Sequence, residues 1–233
     1  MIDFLRRLSV RLPSLAAAGC LAVAVSAPGH AADDDLSANA RLLVAARAAD
    51  AAGMERALKA GAAVNSRNRL GESPLVVVLK NNHPELAPPL LAAGADVNQA
   101  AINGITPLMA ASFIGATDVV HALLQKGADV APVDRLRKNA MTYAAGEGHV
   151  AIVRALLASG VDADAVYHNN LTALMWAAGY GRTEVVQVLL DAGARADRVD
   201  DRGKTALDIA REQKHAATVA MLEAARARIG VAR

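Results

Sequence analysis

The 233 residues are 54% apolar but only 3% aromatic, so the hydrophobic content comes from Ala, Val and Leu and suits small side chains packed helix on helix. A charged share of 21% and a mean hydropathy of +0.24 exclude a disordered chain, and the composition excludes a collagenous, mucin-like or disulfide-held one. The formal charge of +2 belongs to the N-terminus: Arg6, Arg7, Arg11 and Asp3 fall within residues 1–31, and 22 basic and 22 acidic residues remain beyond them, with no net field to draw nucleic acid.

Arg6, Arg7 and Arg11 precede the apolar stretch Leu15–Val25, which Ser26-Ala27-Pro28-Gly29-His30-Ala31 breaks. A basic start, a short apolar middle and small residues at Gly29 and Ala31 predict a secretory signal peptide over residues 1–31, cut after Ala31. The apolar stretch of 11 residues falls short of the roughly 20 needed to span a bilayer, so the membrane is met only during export. Two variants of export fit less well. Ala17-Ala18-Gly19-Cys20 is similar to a lipoprotein lipobox but has Ala17 where Leu is usual and does not close the apolar stretch, and Arg6-Arg7 is similar to a twin-arginine signal without the preceding Ser or Thr. Cys20 is the single cysteine. A cut after Ala31 therefore leaves a mature chain without disulfides, thiol catalysis or zinc–cysteine sites, which suits an oxidising compartment.

Residues 32–35 form an acidic leader, Asp33-Asp34-Asp35. The chain then repeats itself: Gly61, Gly94, Gly127, Gly160 and Gly193 follow one another at steps of 33, within near-constant strings such as Gly94-Ala95-Asp96-Val97-Asn98. A second series keeps the same step, from Ser73-Pro74-Leu75 and Thr106-Pro107-Leu108 through Asn139-Ala140-Met141 and Thr172-Ala173-Leu174 to Thr205-Ala206-Leu207. Two helices per unit are predicted. The first opens on a Ser or Thr cap, twice with Pro at its first position, and ends near Gly115, Gly148 or Gly181; in the second unit Asn82 takes that place as the other residue that tolerates a left-handed conformation. The second helix carries one apolar stripe, as in Val119-Val120-His121-Ala122-Leu123-Leu124 and Val185-Val186-Gln187-Val188-Leu189-Leu190. Between that helix and the next cap lie polar, turn-rich residues.

This pattern resembles the ankyrin repeat, a 33-residue unit of a β-turn and two antiparallel helices with a motif near T-P-L-H-x-A. The resemblance covers residues 36–226 as about six units and implies an all-α ankyrin-repeat solenoid, with residues 227–233 as a C-terminal tail. The motif His is replaced by Val76, Met109, Thr142, Met175 and Asp208, which removes a side-chain hydrogen bond. The first unit lacks the Thr-Pro start, and the last has no closing Gly-Ala string and carries Glu223 where others have Leu. Both are expected to be caps with a polar outer face.

Chemistry-bearing patterns are sparse. No two of His30, His83, His121, His149, His168 and His215 are spaced as a helix-borne metal pair. His83, His149 and His215 share one slot just after the first helix, which points to a repeated structural role. Neither Gly-x-Ser-x-Gly nor a phosphate-cradling loop occurs. No catalysis, metal, cofactor or small-molecule substrate is expected.

The resemblance places the contact surface on the turn tips and the inner end of the first helices, which form a concave face in the family. Carried onto this sequence, the turn slots include Arg69, Leu70, Glu72, Ile102, Ile105, Arg135, Leu136, Lys138, Leu171 and Arg202, and the helix slots include Phe113, Ile114 and Tyr180. Ile102, Ile105, Phe113, Ile114, Leu136, Leu171 and Tyr180 are expected to form a central apolar patch with a charged rim, which is how interfaces are built. Tyr143 and Trp176 lie close behind, as core or as contact. The expected function is a non-catalytic, monomeric protein–protein interaction module in the bacterial periplasm, binding one folded protein through this face. The alternative is a secreted effector or a toxin-neutralising, immunity-type protein on the same scaffold, with an extracellular destination.

Overall fold

The computed structural model describes residues 37–231, and the signal peptide expected over 1–31, the acidic leader and Cys20 lie outside the described residues. Among the described residues twelve α-helices follow one another as six hairpins: α1 (Ala38–Arg47) with α2 (Ala51–Lys59), α3 (Pro74–Lys80) with α4 (Ala87–Ala92), α5 (Pro107–Ile114) with α6 (Thr117–Gln125), α7 (Ala140–Glu147) with α8 (Val150–Ala158), α9 (Ala173–Gly179) with α10 (Thr183–Asp191), and α11 (Ala206–Glu212) with α12 (Ala216–Val231). The described residues contain no strand beyond an isolated bridge between Val166 and Thr172. The solenoid is all-α.

Local chemistry sets the helix ends. Ser73, Thr106, Asn139, Thr172 and Thr205 each accept a hydrogen bond from the backbone N–H three residues on, satisfying a donor that the first turn leaves free. Two of the five substitutions at the motif His replace the missing bond: Thr142 Oγ1 accepts from Asn139 N–H at 2.9 Å, and Asp208 Oδ2 accepts from Thr205 N–H at 3.0 Å. At the far end, Gly115, Gly148 and Gly181 have positive φ, and Asn82 takes the same conformation at φ 63 as its side chain predicts. Pro84, Pro88 and Pro89 alter the second hairpin. A 3₁₀ turn, Pro84–Leu86, precedes the six-residue α4, whose prolines stand in the first turn where no N–H is required. At the other end of the chain, α12 runs on to Val231, so the boundary expected after residue 226 falls inside a helix.

Two layers result. The first helices stack in order, α1 on α3 and so on to α11, while α6, α8, α10 and α12 stack beside them. The apolar stripe of the second helices is buried, with Leu123, Leu156 and Leu189 fully enclosed. Facing them are Ala111, Ala144, Ala145, Ala177 and Ala178, all at 0% exposure, whose small side chains let neighbouring first helices approach closely.

Polar bonds at the same spacing tie each repeat to the next. His149 Nε2 donates to the Phe113 carbonyl at 3.0 Å and His215 Nε2 to the Gly179 carbonyl at 3.2 Å. Arg182 does the same in the intervening repeat, from Nε to the Gly146 carbonyl at 2.8 Å. His83 departs from the shared role and faces Glu85, 3.1 Å from Nδ1; in that repeat Asn81 reaches back to the Arg47 carbonyl. The Gly-Ala-Asp-Val-Asn string has a similar purpose. Asn65 and Asn98 each accept from the backbone N–H of the following repeat, at Asp96 and Asp129, both at 2.8 Å, and donate to the carbonyls of Gly94 and Gly127.

Acid is expected to weaken this stack. The Thr205 hydroxyl and backbone N–H hold the Asp208 carboxyl below the usual carboxylate range. A carboxyl whose pKa is depressed on folding contributes stability above its unfolded pKa of about 4 and loses it as pH falls through the folded value. Urea unfolding between pH 6 and pH 3 checks this: Asp208→Asn should lose less stability over that range than the unaltered chain.

Candidate functional site

The turns between hairpins are built by side chains that bond their own backbone. Asn68, Asp134 and Asp200 occupy one slot of the repeat, and the Oδ1 of each accepts two N–H groups: Leu70 and Glu72, Leu136 and Lys138, Arg202 and Lys204. The third repeat has Ala101 there and uses Asn103 instead, whose Oδ1 accepts from Ile105 N–H. In the fifth, Asn169 and Asn170 turn the chain at positive φ. Backbone bonds join neighbouring tips, from Ile102 N–H to the Leu70 carbonyl, Arg135 N–H to Asn103 and Asp201 N–H to Asn169. These bonds tie the second tip to the third, the third to the fourth and the fifth to the sixth, in a row beside the first helices.

The expected patch divides by burial. Leu70 (62%), Ile102 (59%), Leu136 (57%), Phe113 (49%) and Tyr180 (37%) are exposed, whereas Ile105, Ile114 and Leu171 are half-buried and pack against the core. Their neighbours in the stack account for the difference. Ile105 and Leu171 stand beside the caps and Ile114 at a helix end, where they pack against the core, while Ile102 at a tip lies only along Gly71 of the preceding repeat. Glu72 also departs from its expected slot on the surface. It is 7% exposed, accepts from Asn68 Nδ2 at 2.8 Å and pairs with Lys80.

The open choice for Tyr143 and Trp176 resolves as half-buried rings with exposed aromatic neighbours. Phe113 meets Tyr143 edge-on at 5.7 Å between centroids, and Trp176 stacks on Tyr180 at 6.1 Å and 11°. Lys138 lies between the two pairs, its ammonium 4.4 Å from the Trp176 centroid and 5.4 Å from that of Tyr143. Such contacts stabilise a cation against an aromatic face by about 0.5–2 kcal/mol. The Tyr143 hydroxyl donates to Asp134 Oδ2 at 2.5 Å. Burial, and then Asp134, push the Tyr143 phenol well above its ordinary pKa, so it stays a donor. Burial also lowers the pKa of Lys138, opposed by the charges of Asp134 and Glu147.

Charge along this face is unevenly satisfied. Arg202 folds onto its own turn, with Nε and Nη2 both on Asp200 Oδ2, and Lys204 pairs with Glu212. Arg69 and Arg135 are exposed with no ion pair among the described residues, as is Arg137 in the charge run Arg135-Leu136-Arg137-Lys138. The sequence reading missed Asp134, although an acid four residues before Lys138 at the start of a turn is a readable signal.

No group of three or more His, Cys, Asp or Glu among the described residues is placed to hold a metal ion. None of the described helices is long and apolar enough to cross a membrane. A recess of about 250 Å³ between Glu147, Gly148, Arg182 and Glu184 lies at the helix-to-helix loops and open to solvent.

A family model described as ankyrin repeats (3 copies) matches residues 42–134, 75–167 and 141–231. The crystal structure of EF0377, an ankyrin repeat protein, is similar at a TM-score of 0.70 and 29% identity, over 79% of this chain and 97% of that one. A search of the curated proteins found no match. Hairpin stack, capped first helices, left-handed helix ends and Asn ladder agree with the family match over nearly all the described residues, and the chain belongs to the ankyrin repeat family.

Proposed function

We propose that this chain is a non-catalytic protein-binding module of the bacterial periplasm, holding a folded partner on the row of turn tips and first helices. Ankyrin repeats are general protein–protein interaction modules. What carries the reading is the aromatic group on that face: Phe113 and Tyr180 stay exposed around half-buried Tyr143 and Trp176. Exposed aromatics of this kind, with charges at the rim, are typical of the centre of an interface. Export rests on Arg6, Arg7 and Arg11, the apolar stretch Leu15–Val25 and the small residues Gly29 and Ala31.

A photoreactive residue at Tyr180 should capture the partner in periplasmic extracts, while one at Arg154, exposed on α8 in the other helix layer, should not. Capture at Arg154 alone would place the binding surface elsewhere. Intact mass tests the destination. The mature chain is expected to begin at Ala32; one beginning at Met1 would overturn the periplasmic proposal, and one beginning at a lipidated Cys20 would move the protein to a membrane surface. Recovery from the medium rather than the periplasm would favour the secreted effector.

A further inference from the structure

We infer that the partner offers this face an acidic protein segment, seating a carboxylate on Lys138 between Tyr143 and Trp176 and further acidic side chains against Arg69, Arg135 and Arg137. The inference rests on the protein-binding reading above and adds the partner's chemistry. Its basis is an imbalance of satisfied charge. On this face some cations have carboxylates of their own: Lys80 has Glu72, Arg202 has Asp200 and Lys204 has Glu212. Lys138 has none, because the adjacent Asp134 is committed on one oxygen to the N–H groups of Leu136 and Lys138 and on the other to the Tyr143 hydroxyl. Its ammonium faces two aromatic rings and makes no ion pair among the described residues, and the same holds of ion pairs for Arg69, Arg135 and Arg137.

Glu147, whose charge also reaches Lys138, lies 4.0 Å from Arg182, so Lys138, Arg69, Arg135 and Arg137 are left without an ion pair among the described residues. A half-desolvated ammonium framed by rings gains most from a carboxylate that arrives already shielded from water, since a charge pair strengthens as the local dielectric falls. The exposed Leu70, Ile102 and Leu136 stand among these cations. A phosphate backbone would leave those apolar side chains uncovered, whereas a protein segment with acidic and apolar residues covers both kinds of surface.

Trp176 is the only tryptophan in the chain, so its emission reports this site directly. The exported chain is titrated with synthetic peptides of about 12 residues in which Leu alternates with Glu, with Gln or with Lys, and with phosphatidylglycerol vesicles and oligothymidylate. The Glu peptide should shift Trp176 emission and saturate below about 1 mM, more weakly as salt rises. Lys138→Gln should weaken it at least about tenfold, with Lys138→Arg restoring most of the loss and Lys204→Ala, at an ammonium already paired, changing little. Arg135→Ala with Arg137→Ala should flatten the salt dependence. Equal response to the Gln or Lys peptide, no loss in Lys138→Gln, or a response to vesicles or oligothymidylate alone would overturn the inference. Photo-capture at Tyr180 separates the two readings: a captured partner whose retention ignores salt and Lys138→Gln sinks the acidic segment alone, and absence of both capture and peptide binding sinks both.

Discussion

Leu123→Ala is expected to lower the unfolding free energy by about 2–5 kcal/mol and Leu189→Ala by a similar amount, while Arg135→Ala stays within about 0.5 kcal/mol. Leu123 stands on α6 and Leu189 on α10, and both are at 0% exposure. α6 packs on α5 and α8, and α10 on α8, α9 and α12, so each leucine fills space shared by more than one helix pair. The cost should lie well up this range because the surrounding helices are lined by alanines such as Ala111, Ala144 and Ala177, whose short side chains cannot swing in to close a cavity. Each repeat touches only its neighbours, so weakening one interface lowers the cooperativity of the whole stack. Urea unfolding followed by circular dichroism reads the difference. Similar losses at Leu123 and Arg135 would show that the buried stripe is out of register.

Phe113→Ala and Tyr180→Ala should each weaken partner binding by at least about 1–2 kcal/mol, and the double variant by more. Phe113 is half exposed and touches Tyr143 edge-on, while Tyr180 covers the outer face of Trp176, so each loses contact surface without opening the core. Stability should therefore change little. Lys204→Ala at the rim should leave affinity nearly unaltered, because that ammonium is neutralised by Glu212. The partner captured through Tyr180 provides the measurement, by calorimetry against each variant. Unfolding of Phe113→Ala would make the residue part of the core, and normal binding by both variants would remove the aromatic group from the interface.

The period of 33 and its caps were legible because they are local. A Thr before Pro, a Gly or Asn at a left-handed helix end and an apolar stripe at helical spacing each act within a few residues, and each appears in the structure where the text of the chain puts it. The shared slot of His149 and His215 was legible as a structural position for the same reason, although the carbonyl each one reaches lies in the preceding repeat. His83 shows the limit of the pattern. The same residue in the same register turns to Glu85, since Pro84 reshapes the turn that follows.

Hairpin number, helix order and buried stripe were thus determined by the amino-acid sequence itself, through short-range preferences repeated in register. The tertiary structure alone decided which members of the turn face remain available. Repeat position could not distinguish Ile102 and Leu136, which stay exposed, from Ile105, Ile114 and Leu171, which lean on the core. Nor could it foresee that Glu72 would be buried under Lys80, that Arg202 would fold onto Asp200, or that Lys138 would reach a tryptophan one repeat away. Such outcomes depend on the particular side chain that the adjoining repeat presents. Register sets the distance between two slots, but the size, charge and rotamer of both occupants decide whether they meet.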